Sequence, residues 1–253
     1  MFNRSIFSQM PPVTKNLLIV NVIIFLAMAI FPDKIGVMMN RHCGLHYYLS
    51  QDFIFTQFIS YQFVHANFGH LFFNMFALFM FGMVIESIFG PKRFLTYYLI
   101  CGIGAGLIQM GVNAIELHLL TQQLVEANHP IDIQNGTVWI MNNVDYSQYT
   151  DIIYNINALI NAPTVGASGA IFGILLAYGK FFPNREMYIM FIPYPVKAKW
   201  VVIGYAVIEL VQGVGLANTG IAHFAHLGGM IFGLLLILYW QKTGVIRRNG
   251  GYF

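Results

Sequence analysis

The chain has 253 residues, 57% of them hydrophobic and 9% charged, with a net charge of +3. A soluble domain carries about 25% charged residues, so this chain cannot cover a water-facing surface, and its solvent is mostly lipid. Cys43 and Cys101 fall in different segments, which excludes a disulfide framework.

Six apolar runs read as membrane helices: about Asn16 to Phe31, Phe68 to Phe89, Phe94 to Val112, Ala167 to Phe182, Trp200 to Leu216 and Ala222 to Trp240. Each crossing takes roughly 20 apolar residues, so the fourth is short. The first run follows Arg4 and Lys15 with no small-residue cleavage site after it, and is expected to be retained as a helix. One membrane domain over residues 1–253 is expected.

Basic residues cluster at alternate connections. Arg4 and Lys15 precede the first helix, and Lys92 and Arg93 follow the second. Lys180, Arg185, Lys197 and Lys199 follow the fourth, and Lys242, Arg247 and Arg248 follow the sixth. The opposite side has Lys34 and Arg41, then no Lys or Arg from Asn113 to Gly179. By the positive-inside rule both termini are expected in the cytoplasm. Short loops and the lack of a transit peptide favour a bacterial inner membrane.

Two outer connections are long. Asp33 to Asn67 carries Tyr47, Tyr48, Phe53, Phe55, Phe58, Tyr61 and Phe63, which suits a loop lying partly in the interface. Asn113 to Pro163 is too long for a plain loop. It is expected to hold two helices, one on Ile115, Leu117, Leu119, Leu120 and Leu124, the other on Ile152, Ile153, Ile156, Leu159 and Ile160. Thr150 or Asp151 would cap the second, and Asn161-Ala-Pro163 would end it. Turn signals at Asn128-His-Pro130 and Asn135-Gly136 separate them. The insert, about 113–163, is expected to be a small helical extracytoplasmic subdomain resting on the membrane.

Polar groups inside a membrane are costly and mark function by default. His70 and Asn74 are four apart on one face of the second helix. Ser168 opens the fourth helix, and His226 lies near the start of the sixth. In the six-helix topology all four reach the same, outer side. A serine hydroxyl needs a base to become a nucleophile, and neutral imidazole is the best base near pH 7. His70, Asn74 and the Ser168 backbone N–H, unpaired at a helix start, are candidate oxyanion donors. No carboxylate lies near His226 along the chain: Glu209 is on the fifth helix and Glu86 near the inner end of the second. A Ser168–His226 dyad without an orienting acid is therefore the simplest set, with Phe172 stacking on the imidazole in its place. Gly169 and Gly173, and Gly229 and Gly233, are small-xxx-small pairs that let the fourth and sixth helices approach closely.

Plainer roles exist for each residue alone. A lone membrane serine bonds its own backbone or a neighbour, and His70 with Asn74 can be a structural interhelical bond. His65 with His70, or His223 with His226, could be half of a metal site; no cysteine or carboxylate joins them in sequence, so no metal is expected. The conjunction carries the catalytic reading.

At these positions the chain resembles the rhomboid family of intramembrane serine proteases. Gly166-Ala-Ser168-Gly169 resembles its Gly-x-Ser-Gly motif, and His65-Ala-Asn-Phe-Gly-His70-Leu-Phe-Phe-Asn74 its second-helix motif. Ala225-His226-Leu-Gly-Gly229-Met-Ile-Phe-Gly233 resembles the sixth-helix motif, and Glu86-Ser-Ile-Phe-Gly90-Pro-Lys-Arg93 the end of the second helix. The resemblance covers about Gln57 to Leu236, excluding the insert. It implies an all-α, six-helix bundle and a serine endopeptidase with Ser168 as nucleophile and His226 as base, cutting transmembrane segments near the outer interface. It implies membrane-protein substrates in a lipid bilayer, no cofactor and no nucleic acid. The family's first loop commonly carries Trp-Arg where this chain has Thr56-Gln57. The alternatives are a non-catalytic rhomboid-like protein that binds membrane segments, and a transporter using His70 and His226 for protons.

Overall fold

The computed structural model describes residues 9–127, 131–134, 136–140, 147–188, 193–214 and 222–246. Arg4, Asn128-His-Pro130, Asn135, Leu216, Arg247 and Arg248 lie outside the described residues.

Helix α1 (Pro12–Ile30) starts on a proline, whose missing N–H costs nothing in a first turn. It leads through a π-helical turn (Pro32–Gly36) into the short α2 (Val37–Cys43) and α3 (Gln57–Ser60). Helix α4 (Phe68–Phe89) begins at Asn67, whose side chain accepts the His70 N–H at 2.8 Å. Gly90, at φ 75°, makes the reversal into α5 (Pro91–Glu126). Strands β1 (Ile131–Gln134) and β2 (Thr137–Ile140) form an antiparallel hairpin. Helices α6 (Thr150–Asn161) and α7 (Ser168–Phe181) follow. A two-residue ladder of β3 (Glu186–Met187) with β4 (Val196–Lys197) precedes α8 (Ala198–Val214) and α9 (His223–Lys242).

Four of these helices are long and apolar enough to cross a membrane: α1, α4, α5 and α9. Helix α7 has 14 residues and is about 21 Å long, short of a hydrocarbon core of about 30 Å. The main core lies where α4, α5, α7 and α9 meet, around Phe89, Phe94, Tyr97, Tyr98, Ile174 and Ile237. Outward-facing side chains such as Ile23, Phe73, Val211 and Leu235 are exposed and apolar, as lipid-facing residues are. The protein is an integral, multi-pass membrane protein.

The insert corrects two expectations. The third membrane helix does not end at Val112. It runs on through the stretch expected as a separate insert helix, because nothing from Gly111 to Glu126 breaks a helix, and Asn113 accepts a side-chain bond from Gln109 one turn earlier. The hairpin was not expected at all. It turns through Gly136 at φ 73°, whose carbonyl accepts from Asn161 Nδ2 at 2.9 Å. Helix α6 matches its expected stripe: Ile156 and Ile160 are fully buried against Leu117, Leu124 and Tyr47 in a cluster apart from the main core. Neither Thr150 nor Asp151 caps it; the preceding residue is Tyr149, and the Thr150 hydroxyl instead donates to the Ser147 carbonyl.

The first long connection is tied down rather than loose. Gln57 is fully buried. Its Oε1 accepts the His46 N–H at 3.1 Å, and its Nε2 donates to the Asp52 and Arg41 carbonyls at 2.6 and 3.2 Å. Leu45 and Thr164 exchange two backbone bonds of 2.9 Å, and the Gly166 N–H donates to the Tyr61 carbonyl at 2.9 Å. The first loop therefore holds the approach to Ser168.

Candidate active site

Ser168 is the first residue of α7, where backbone N–H groups have no intrahelical partner. Two residues upstream, Gly166 has φ 124°, which L side chains rarely adopt, and a Cβ there would lie 2.6 Å from Cε1 and Nε2 of His70. Glycine at 166 thus lets the chain turn and lets the His70 ring lie beside the serine's approach strand.

His226 sits on the first turn of α9, and its Nε2 lies 2.8 Å from Ser168 Oγ. The two residues are 58 apart in sequence. Their meeting depends on the glycine faces of α7 and α9. A Cβ on Gly229 would overlap the Gly169 carbonyl, and one on Gly173 would overlap Cys101 Sγ and come within 3.0 Å of the Gly229 carbonyl. Gly233 faces the Tyr97 hydroxyl, which also donates to the Gly173 carbonyl at 2.8 Å. Phe172, one turn after Ser168, stacks on the His226 ring, and Tyr205 of α8 meets Phe172 edge-on at 6.1 Å.

The oxyanion candidates are brought together only in part. The His70 ring packs against Gly166 and makes an edge contact with His65, centroids 5.1 Å apart. Asn74 is buried one turn below, and one N–H of its amide donates to the His70 carbonyl at 2.8 Å, leaving the other hydrogen. His65 precedes α4; burial first, and His70 second, push its pKa down to about 4.

The expectation that no carboxylate attends His226 is corrected. Glu209 of α8 is buried, with its Oε2 2.9 Å from His226 Nδ1 and 2.7 Å from His223 Nδ1. Glu209 is distant from His226 along the chain, and only the packing of α8 on α9 brings them together. The usable signal was Glu209 itself, an acid inside an apolar helix, four residues after Tyr205 and so on the same face. The same contact joins His223 and His226 to a carboxylate, contrary to the expectation that none joins them. Ligand atoms around a tetrahedral zinc at 2.0–2.1 Å stand about 3.3 Å apart, so the 2.7 and 2.9 Å spacings are those of hydrogen-bonded and ion-paired groups.

A model of the Rhomboid domain matches residues 53–120 and 133–242 of the chain. Rhomboid protein 1, mitochondrial, of Saccharomyces cerevisiae is 34% identical over 84 residues, which is 33% of this chain. The match spans 24%, about a quarter, of that relative's length. Since the family match takes in most of the chain, including both helices that bear Ser168 and His226, this protein belongs to the rhomboid family.

Proposed function

We propose that the protein is an intramembrane serine endopeptidase that cleaves transmembrane segments of other membrane proteins near the outer interface. The observation that carries this reading is the 2.8 Å approach of His226 Nε2 to Ser168 Oγ at the start of a short, buried helix. A binding protein needs neither group, and a hydroxyl facing a bare imidazole nitrogen is the arrangement that makes serine nucleophilic.

In the proposed reaction Ser168 Oγ attacks a peptide carbonyl of an unwound substrate segment while its proton passes to His226 Nε2. The oxyanion is held by the Ser168 N–H, the His70 ring N–H and the remaining Asn74 N–H, each worth about 10²–10³ in rate. His226 returns the proton to the leaving amine, and water from the outer side then hydrolyses the acyl-enzyme. Phe172 keeps the imidazole plane fixed, and Gly166, Gly169, Gly229 and Gly233 let the helices approach closely enough for the reaction. The mechanism calls for no metal or cofactor.

The proposed topology has six spans, with α7 and α8 as the two shorter ones, and both termini on the Lys- and Arg-rich cytoplasmic face. The proposed setting is a bacterial inner membrane. Residues 1–253 form one rhomboid-like domain with the insert at about 113–163 outside; the break in the family match at 121–132 falls within that insert.

The test is labelling of the purified protein by a fluorophosphonate probe, with cleavage of a membrane-segment substrate measured alongside. Wild type labels and cuts; Ser168→Ala and His226→Ala do neither. Cleavage that survives Ser168→Ala would overturn the serine-protease reading. A folded wild type that neither labels nor cuts supports the non-catalytic binding protein instead.

A further inference from the structure

Glu209 is the one acid on α8 and is buried, a position where an unpaired charge is costly. Its Oε2 accepts a well-formed hydrogen bond from His223 Nδ1 at 2.7 Å. The same oxygen stands 2.9 Å from His226 Nδ1, at ion-pair distance but off the line of the ring N–H, and that nitrogen makes no hydrogen bond to any other described residue. His223 and His226 are three apart on α9, so both rings leave one face and converge on one carboxylate.

The chemistry of the ring makes this placement selective. A neutral imidazole carries its proton on one nitrogen and is bare on the other. If His226 carries it on Nε2, that N–H donates to Ser168 Oγ and cannot take the serine's proton. An ionised carboxylate only accepts, so an oxygen beside Nδ1 favours the tautomer with Nδ1–H and bare Nε2. The same oxygen favours the imidazolium once Nε2 has taken the proton.

We propose that Glu209 is a positioning residue that accepts the His226 Nδ1–H and keeps Nε2 free for Ser168, with His223 anchoring the carboxylate from the preceding turn. The assignment rests on the reading of Ser168 and His226 as nucleophile and base. During the reaction the proton moves from Ser168 Oγ to His226 Nε2 and on to the leaving amine, while Glu209 stays ionised. The off-line approach closes by a small rotation of the imidazole when substrate engages, as catalytic hydrogen bonds commonly do.

The test uses the full chain in detergent or lipid, with Glu209→Gln, Glu209→Asp and His223→Gln beside Ser168→Ala. The readouts are kcat and KM on a membrane-segment substrate, the rate of fluorophosphonate labelling, and apparent Tm. Glutamine keeps the shape and loses the charge. Glu209→Gln is expected to lower kcat by about 10²-fold or more with KM and Tm near wild type; a comparable orienting carboxylate in serine proteases is worth up to about 10⁴. Labelling slows in parallel, Glu209→Asp recovers part of the loss, and His223→Gln loses about 10-fold in kcat. Wild-type kcat and labelling in Glu209→Gln overturn the assignment. So does a loss in Glu209→Gln that travels with KM and Tm and is not relieved by aspartate, since that is a structural role. Should Glu209→Gln not fold, His223→Gln decides: a fall in kcat at constant KM supports the assignment, and an unchanged kcat overturns it. Cleavage that persists in Ser168→Ala defeats the protease reading itself. Cleavage abolished in Ser168→Ala but untouched in Glu209→Gln defeats only the role of Glu209.

Discussion

Phe172 and His226 lie face to face, their ring centroids 4.3 Å apart and their planes 4° from parallel. The stack fixes the tilt of the imidazole, which the single hydrogen bond between Nε2 and Ser168 Oγ leaves soft. An aromatic pair of this kind is worth about 0.5–1.5 kcal/mol, so Phe172→Ala is expected to lower kcat by up to about tenfold with little change in KM. Phe172→Tyr keeps the stack and most of the activity. Steady-state kinetics on the two variants check this.

The contact between α7 and α9 tolerates no side chain at Gly229, since a Cβ would overlap the Gly169 carbonyl of the facing helix. Gly229→Ala is expected to push the helices apart, costing about 1–3 kcal/mol of stability. It also carries His226 away from Ser168, so probe labelling falls further than the change in Tm alone implies. Gly111→Ala, in α5 where an added Cβ meets nothing within 4 Å, serves as the control: it adds helix propensity worth up to about 1 kcal/mol and leaves probe labelling unchanged.

Glu86, buried on α4, binds the start of α1. Its carboxylate accepts from the Val13 and Thr14 N–H groups at 2.9 and 2.7 Å, and from the Thr14 hydroxyl at 2.7 Å. Glu86→Ala strands two buried donors on Thr14 and a partly buried one on Val13, and is expected to cost about 3 kcal/mol. Thermal unfolding of the purified variant shows the loss, and Thr14→Val, which removes only the hydroxyl, shows a smaller one.

His65 gives a pH dependence with a definite sign. Its pKa is near 4 in the folded protein, against 6.5 for the free side chain, so between those values the unfolded chain binds the proton more readily. Its contribution is fully present above pH 6.5 and is lost as pH falls toward 4. The full shift corresponds to about 3 kcal/mol. The difference in Tm between wild type and His65→Gln is expected to shrink as pH is lowered from 7 to 5.

The meeting of Ser168 with His226 is legible because lipid makes every intramembrane polar group conspicuous, and their helical positions follow from run lengths alone. Glu209 obeys the same rule, but its contact with His226 joins two helices, and sequence distance does not reveal it. Helix α5 was misjudged because bilayer thickness sets an expected end for a span but does not stop a helix; only a breaker does, and none precedes Glu126. The hairpin was within reach. Ile131 and Ile133 alternate with polar residues, and Asn-Gly between such runs is the strongest short hairpin signal. The role of Gln57 was not legible, since its partners are backbone atoms of Arg41, His46 and Asp52, fixed only when the first loop folds.

The two backbone bonds between Leu45 and Thr164, and the one from Gly166 to Tyr61, stitch the serine's approach to a stretch of chain more than a hundred residues earlier. The imidazole that faces the serine stands on α9, which follows in the chain every element that holds the serine in place. A chain entering the bilayer in order of synthesis therefore presents Ser168 without His226 until α9 is inserted. On the proposed reading, the nucleophile gains its base only at that step.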